Sequence, residues 1–572
     1  MKLLKKQLFT QLFKDKIFIV LMFLLTIFTS FMYFFVHFSI DGNMKNLNAL
    51  PTLSEQQLAY QNALTSNTSL ARSFLLASIP LTGFVFYMFF SRFLKKNSKQ
   101  IGCLKALGFK DCTIHLALIQ FSLYLSLLGS ITALVLGYFA SDLLLQANMR
   151  SYSVTHLVKS IHLYTFLIGS IMPTAIFCWI TALTYYATKK IEVAYLLSPR
   201  TDTCTYPAVL RLAHQIATFL PIKNKLSTRL ALRKPIALFL ILVAVTTVSI
   251  MFTLGYSLNL SSQKLYDSQT LGYHYKYDTD FGSPHTLKSI PADSMPYLKA
   301  TALLKMSDLT LDQQVISFEN NSPLFDLLDS NGHALLVPRP GEIIISPMLQ
   351  DLYNIQLGDT LTLSINNRSQ NFIVSQIAFN ATLNSIYIAP SDLESLLSLP
   401  SQSYTGIWSM TPLSNAYATT SQSQRLLALE KNSVSNQTSA LINQVVACLI
   451  GCILLFLALL LNFQDYTRDM LILNLMGYPS SEIRKTLIDL YKPILWLFFL
   501  LTLWPSIQIV KSILKSLSLQ TGDYFAFQTN GFVIIGIFII LNIIYMLVQV
   551  SFNVGIKKII KTDTLYTYTS NE

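Results

Sequence analysis

The sequence predicts a polytopic α-helical membrane protein: eight transmembrane helices in two four-helix units, with an α+β extracytoplasmic domain between helices five and six. Three observations carry this prediction. Of the 572 residues, 52% are hydrophobic and only 12% charged, about half the charged share of a soluble domain. Eight apolar runs come near or exceed the roughly 20 residues a helix needs to cross a bilayer core. Lys and Arg gather on one side of those runs. With a mean hydropathy of +0.46, this balance excludes a secreted domain, a disordered tail and an ordinary cytosolic enzyme.

The runs are Ile17–Ile40, Ser73–Phe90, Ile114–Ala140, Leu163–Ala187, Ile236–Tyr256, Ala440–Leu461, Pro493–Val510 and Gly531–Val550. The second contains Pro80 and the seventh begins at Pro493, which bundled helices tolerate. Ahead of the first run, residues 1–16 place Leu3, Leu4, Phe9, Leu12 and Phe13 on one helical face and Lys on the other. That pattern predicts an interfacial amphipathic helix, and the lack of a small-residue cleavage site argues against a removed signal peptide.

Charge orients the chain. With the N-terminus inside, the inner segments hold 27 of the 42 basic residues and 10 of the 29 acidic ones. The large outer segment 257–439 holds 9 basic and 15 acidic. The net charge of +13 therefore reads as a positive-inside bias, with both termini cytoplasmic, and leaves no basic stripe for nucleic acid.

The chain also repeats itself. Lys99-Gln-Ile-Gly-Cys-Leu-Lys-Ala-Leu-Gly108-Phe109 leads to Ile114, and Arg468-Asp-Met-Leu-Ile-Leu-Asn-Leu-Met-Gly477-Tyr478 leads to Ile483. At an offset of 369, a basic residue, Leu104/Leu473, Gly108/Gly477, an aromatic and a final Ile coincide. Residues 17–195 form the first unit, with a short outer loop 41–72, and 196–235 a cytoplasmic linker. Helix five at 236–256 and helices six to eight at 440–556 form the second unit, followed by a cytoplasmic tail at 557–572.

The insert 257–439 is long enough for a domain of its own. Glu342–Ser346, Thr360–Ile365, Phe372–Ala378 and Ser385–Ala389 read as strands, separated by turn signals such as Leu357-Gly358-Asp359. Ser391–Leu399 and Ser421–Leu441 read as helices, the latter running straight into the sixth span.

No phosphate-binding GxxxxGK[ST], HExxH, GxSxG or paired CxxC occurs, so the chain offers no enzyme site or cofactor of its own. None of the six Cys falls in the outer domain. That suits a bacterium that does not rely on extracytoplasmic oxidation, such as a Gram-positive one. Cys448 and Cys452 share a helix face and read as packing residues, and no metal site emerges from the scattered His. The eight apolar cores lack Asp and Glu, which disfavours an ion-coupled carrier.

The repeated block resembles the FtsX-like permease domain of ABC systems of the MacB, LolCE, FtsX and BceB type. The first block is close to that family's inner loop, with Gln100 where an acid is common; the second is looser, with Asn474 and Met476. Pro340–Ser346, Leu357–Leu363, Phe372-Ile-Val and Ser385-Ile-Tyr-Ile are similar to a MacB-type extracytoplasmic domain. The chain is eight-spanned where BceB-like proteins have ten, and Thr201–Lys223 is too polar to supply the missing pair.

The resemblance implies a non-enzymatic membrane subunit that works with cytosolic ABC ATPases, ATP and Mg being held by the partner. Two loops imply two ATPases per permease. The docking residues would be Ile101, Leu104, Lys105, Leu107, Gly108 and Phe109 in the first loop, and Leu471, Leu475, Gly477 and Tyr478 in the second. A type VII, mechanotransmission-like action in the plasma membrane is implied, on membrane lipid or on an extracytoplasmic peptide or lipoprotein. It would export or remove a hydrophobic, peptide or lipid-like compound, as in antimicrobial-peptide resistance. The alternative is an FtsX-like scaffold that switches a cell-wall hydrolase or a sensor kinase without transport.

Overall fold

A computed structural model describes residues 8–51, 55–152, 157–189, 235–286, 293–306, 309–319, 323–366, 368–382, 384–413, 417–465, 473, 475–479, 482–483, 485, 489, 491–521 and 524–561. Linker 196–235 lies almost wholly outside these residues, as do residues 1–7, Leu471 and the end of the C-terminal tail. Among the described residues, seven helices are long and apolar enough to cross a membrane, and Gln444–Leu460 is a shorter apolar stretch where the sixth span is expected.

The apolar runs become helices longer than themselves. They are α1 (Lys16–Asn48), α2 (Glu55–Lys96), α4 (Asp111–Tyr152) and α6 (Pro235–Thr270), with the short α3 (Ser98–Ala106) between α2 and α4. Helix α5 starts as Leu163–Phe166, passes a π-helical turn at Leu167–Ile171 and continues as Met172–Lys189. Residues 8–15, expected at the interface, run on into α1 through a 3-10 turn, Phe13–Asp15. Leu8 and Leu12 are buried in the bundle core, and Phe9 and Phe13 meet Phe121 edge-on.

In the first set, α1 packs on α2 and α4, and α5 packs on α2 and α4. Small residues allow the α1–α4 approach: a Cβ on Gly129 would stand 2.1 Å from Thr26 Oγ1, and one on Gly137 3.0 Å from the Phe35 amide nitrogen. The second set is α6, α9 (Gln422–Asp465), α10 (Tyr491–Thr521) and α11 (Gly531–Lys561). It pairs in the same pattern, α6 on α9 and α10, and α9 on α11. Trp496 of α10 reaches α11 by donating to Asn542 Oδ1 at 3.0 Å. Between the sets, α2 lies on α10 and α4 on α9.

The first helix departs from an all-apolar reading. It continues past Ile40, and Asp41, one residue beyond the apolar run, is buried. His37 Nδ1 is 2.9 Å from Asp41 Oδ1; Asp41 Oδ2 accepts from the His162 amide at 2.9 Å and the Thr165 hydroxyl at 2.7 Å. A carboxylate from α1 thus caps the first turn of α5, satisfying donors a helix start leaves open. Asn43 exchanges two hydrogen bonds with Val158 beside it.

Between α6 and α9 lies a nine-stranded sheet with two short helices. Its strands are β1 (Tyr277–Thr286), β2 (Ser294–Met306), β3 (Leu309–Phe318), β4 (Glu342–Ile345), β5 (Thr360–Ile365), β6 (Arg368–Ile377), β7 (Ser385–Ile388), β8 (Ser403–Ser409) and β9 (Ala418–Ser421). The order is β3-β7-β4-β6-β5-β2-β8-β1-β9, and a further β2–β3 pairing closes the first six into a barrel. Strand β2 is the shared element: Leu303–Lys305 pair with β5, whereas Ser294–Tyr297 pair with β8.

Core strands are buried on both faces. Ile343 and Ile345 point into the barrel core, Ile344 into an outer aromatic core, and Ile386 and Tyr387 divide likewise. Helices α7 (Pro347–Tyr353) and α8 (Pro390–Leu397) each start with Pro at the first turn, where its missing N–H is harmless. Each ends on a left-handed residue, Asn354 and Ser398. The barrel stands at one end of the bundle. Leu70 of α2 clusters there with Leu254, Leu258, Leu514, Leu517 and Phe525, so the other ends of α2, α9 and α10 lie opposite.

Candidate functional site

The two repeated loops lie at the end of the bundle opposite the barrel. In the first, α3 closes on Leu107, and Gly108 takes φ +83°. The Gly108 amide donates to Lys105 O at 3.0 Å and the Phe109 amide to Leu104 O at 3.1 Å. This is a Schellman termination, in which the left-handed residue is glycine because a Cβ would strain it. In the second, Gly477 takes φ +88° and the Tyr478 amide donates to Leu473 O at 3.1 Å. Equal spacing in the sequence has produced the same local geometry twice.

These turns decide which side chains a partner could reach. Leu107 is 75% exposed, and Phe109, Leu475 and Tyr478 are also exposed. Ile101, at 1%, and Leu104 instead pack into the bundle. Lys105, expected at the docking face, has a side chain only 9% exposed and is held 3.0 Å from Asp111. Leu471 lies outside the described residues. Met476, 69% exposed, stands outside the expected docking set, noted from sequence only as a departure from the family pattern; it is the counterpart of Leu107 at the same 369-residue offset and could have been found that way. Each tip is thus a small apolar knuckle, the kind of surface that fills a pocket on a protein partner.

At the other end, α6 and α9 carry the barrel and are pinned together. The Arg425 guanidinium donates to Gln269 Oε1 and, at 3.4 Å, to the Tyr275 hydroxyl, while lying 4.3 Å over the Tyr273 ring. The Tyr273 hydroxyl donates to Asn380 O at 2.6 Å, and Asn380 Nδ2 donates to Leu271 O and Asp326 O. Gly272, at φ +77°, is required between them, since a Cβ would stand 2.4 Å from Asp326 O. Helix α9 then runs unbroken from this junction to Asp465. A lighter contact joins barrel and bundle elsewhere: the Tyr524 hydroxyl, in the α10–α11 loop, donates to Asp351 of α7.

Beside the junction, burial pushes the Asp278 carboxyl above the usual carboxylate range, opposed by the Tyr297 hydroxyl donating at 2.8 Å and by Lys299 and Arg425. The folded chain therefore holds this proton more tightly than the unfolded one. Its stabilising contribution is complete below the ordinary Asp pKa of about 3.9 and is lost as pH rises through the raised value. Thermal unfolding of the Asp278→Asn chain, which keeps an acceptor for Tyr297, should show a shallower loss of stability from about pH 4 upward than the parent chain. Parallel pH curves for the two would contradict this.

Near the barrel, α2 and α10 leave a cleft of about 380 Å³ lined by Ser69, Ser73, Gln508, Ser512, Ser516 and aliphatic side chains.

Residues 72–192 match the family model described as FtsX-like permease C-terminal. That stretch spans most of α2, all of α3 and the first tip, and α4 and α5. Permeases of this kind are membrane subunits, typically non-catalytic, that pair with ABC ATPases. No curated protein matches the chain. Fold and match together define a multi-pass membrane protein with an FtsX-like permease segment.

Proposed function

We propose that the chain is the permease subunit of an ABC transporter of mechanotransmission type. Eight spans, the sixth being the membrane part of α9, form two tandem FtsX-like units with cytoplasmic termini in a bacterial plasma membrane. Two partner ATPases, which hold the ATP and Mg, dock on the tips around Gly108 and Gly477. Closure of the ATPases tilts α6 and α9, and the barrel outside the membrane moves with them. The cargo is a hydrophobic, lipid-like or peptide compound handled at the outer leaflet, and the serine-lined cleft between α2 and α10 offers an amphiphile both hydroxyl and aliphatic contacts.

The observation that carries this reading is the duplicated tip. The same left-handed glycine and the same i to i−5 hydrogen bond recur at one end of the bundle. Helix α9, which ends eight residues before Leu473 of the second tip, carries the barrel at its far end. A single helix of 44 residues spans about 66 Å at 1.5 Å per residue, long enough to carry motion across a bilayer and beyond.

Two prolines, at Ser433 and Gln437, should break that rod, each removing a helix hydrogen bond and clashing with the preceding turn. The assay is disulfide formation between Asp351→Cys and Tyr524→Cys in the reconstituted complex, with and without ATP and vanadate. Nucleotide trapping should lower the cross-linking yield in the otherwise native complex. The proline variant should hold its ATPases and hydrolyse ATP while the yield no longer responds. A response that survives the prolines, or none in the native rod, would count against mechanical transmission.

A further inference from the structure

We propose that Lys105, Asp111 and Tyr185 form a brace that presets the first tip, so that the two ATPase-docking sites are unequal. The inference rests on the docking function proposed above. Lys105 stands in the last turn of α3 and Asp111 in the first turn of α4, so their ion pair at 3.0 Å spans the Gly108 turn. The Tyr185 hydroxyl, on α5, donates to the same Asp111 Oδ1 at 2.9 Å. His115, one turn further along α4, stacks on the Tyr185 ring at 5.3 Å and 17°.

Three helices thus converge on one carboxylate directly beneath the tip. With its side chain 9% exposed, Lys105 is spent on this contact and is not presented to a partner. Leu107 and Phe109 are held in one direction before any partner arrives, and an interface formed by preset groups loses less conformational freedom on binding.

The second loop has no equivalent chemistry at the corresponding positions. At the offset of 369 stand Asn474, Ser480 and Val554, which supply neither an ion pair nor a phenol. Of the described carboxylates that follow, Glu482 is exposed, and Asp489, just ahead of α10, accepts from Gln549 of α11. The first tip is therefore the tighter and earlier docking site, and the second the weaker.

Asp111 acts here as a positioning residue, and the test has two arms on the full-length detergent-purified chain. In the first, amide hydrogen exchange across residues 98–113 should speed up in Asp111→Asn and Tyr185→Phe and return towards the parent rate in Asp111→Glu. In the second, the co-expressed ABC ATPase is titrated onto chains carrying Met476→Asp, to isolate the first tip, or Leu107→Asp, to isolate the second. The first tip should bind about tenfold more tightly, and Asp111→Asn should erase that advantage while Asp111→Glu restores it. Equal affinities at the two tips, or exchange and binding unmoved in Asp111→Asn, would overturn the brace. If the unmodified chain binds no ATPase, the docking function and the inequality fall together, and the exchange arm still reports whether the turn is braced.

Discussion

Aspartate at both tips, Leu107→Asp with Met476→Asp, should strip the ATPases from the complex while leaving the permease folded. Both side chains are mostly exposed, at 75% and 69%, so the folded chain gains two solvated carboxylates and buries neither. In the complex each would occupy an apolar pocket, and burying a charge there is strongly unfavourable. Central apolar anchors of interfaces contribute about 2–4 kcal/mol each, so each tip should lose about thirtyfold or more in affinity for its own ATPase. Co-purification from membranes reads the loss, and an unchanged melting temperature of the permease shows that docking, not folding, was removed. ATPases retained at full occupancy would place the docking surface elsewhere.

The second large effect is expected within the bundle. Asp41→Ala leaves His37, the His162 amide and the Thr165 hydroxyl without their shared acceptor. Removing one partner of a buried pair typically lowers stability by about 3–5 kcal/mol, and here the start of α5 loses its cap as well. The full-length chain should unfold at a distinctly lower temperature and lose α5 protection first in hydrogen exchange. Asp41→Asn, which keeps one acceptor oxygen, should fall between the two. A thermal profile for Asp41→Ala that matches the parent would show that the clasp contributes little.

Much of this architecture is legible in the sequence because its signals are local. Apolar runs of bilayer length became helices, and Gly108 and Gly477 at equal spacing became equal turns. Segments such as Glu342–Ile345 and Ser385–Ile388, apolar on both faces, became the central barrel strands. The unbroken helix from the barrel into the apolar stretch Gln444–Leu460 was likewise readable, since no glycine or proline interrupts residues 422–450.

What escaped depends on long-range partners. Strand β1 contains Asp278, Asp280, Gly282 and Pro284 and is a strand because β8 and β9, more than a hundred residues on, pair with it. Barrel closure through β2 and β3 is equally invisible to local pattern. Asp41 ended an apolar run, so nothing nearby showed that α1 would continue and bury it; its acceptor role is filled by residues 162 and 165. Lys105 looked like a docking cation because the partner that buries it, Asp111, lies across a turn whose geometry only the fold reveals. The tips were found by motif, and which of their side chains face outward was set by packing into the bundle core, where Ile101, Leu104 and Leu473 sit.

The most direct test of the central claim is the mass of the complex formed when the full-length chain is co-expressed with its ABC ATPase, purified in detergent and weighed by native mass spectrometry. The account predicts one permease with two ATPases, reduced to one by disrupting either Gly108–Phe109 or Gly477–Tyr478 and to none by disrupting both. A permease that carries no ATPase, or one that binds its ATPases only as a dimer of permeases, would contradict it.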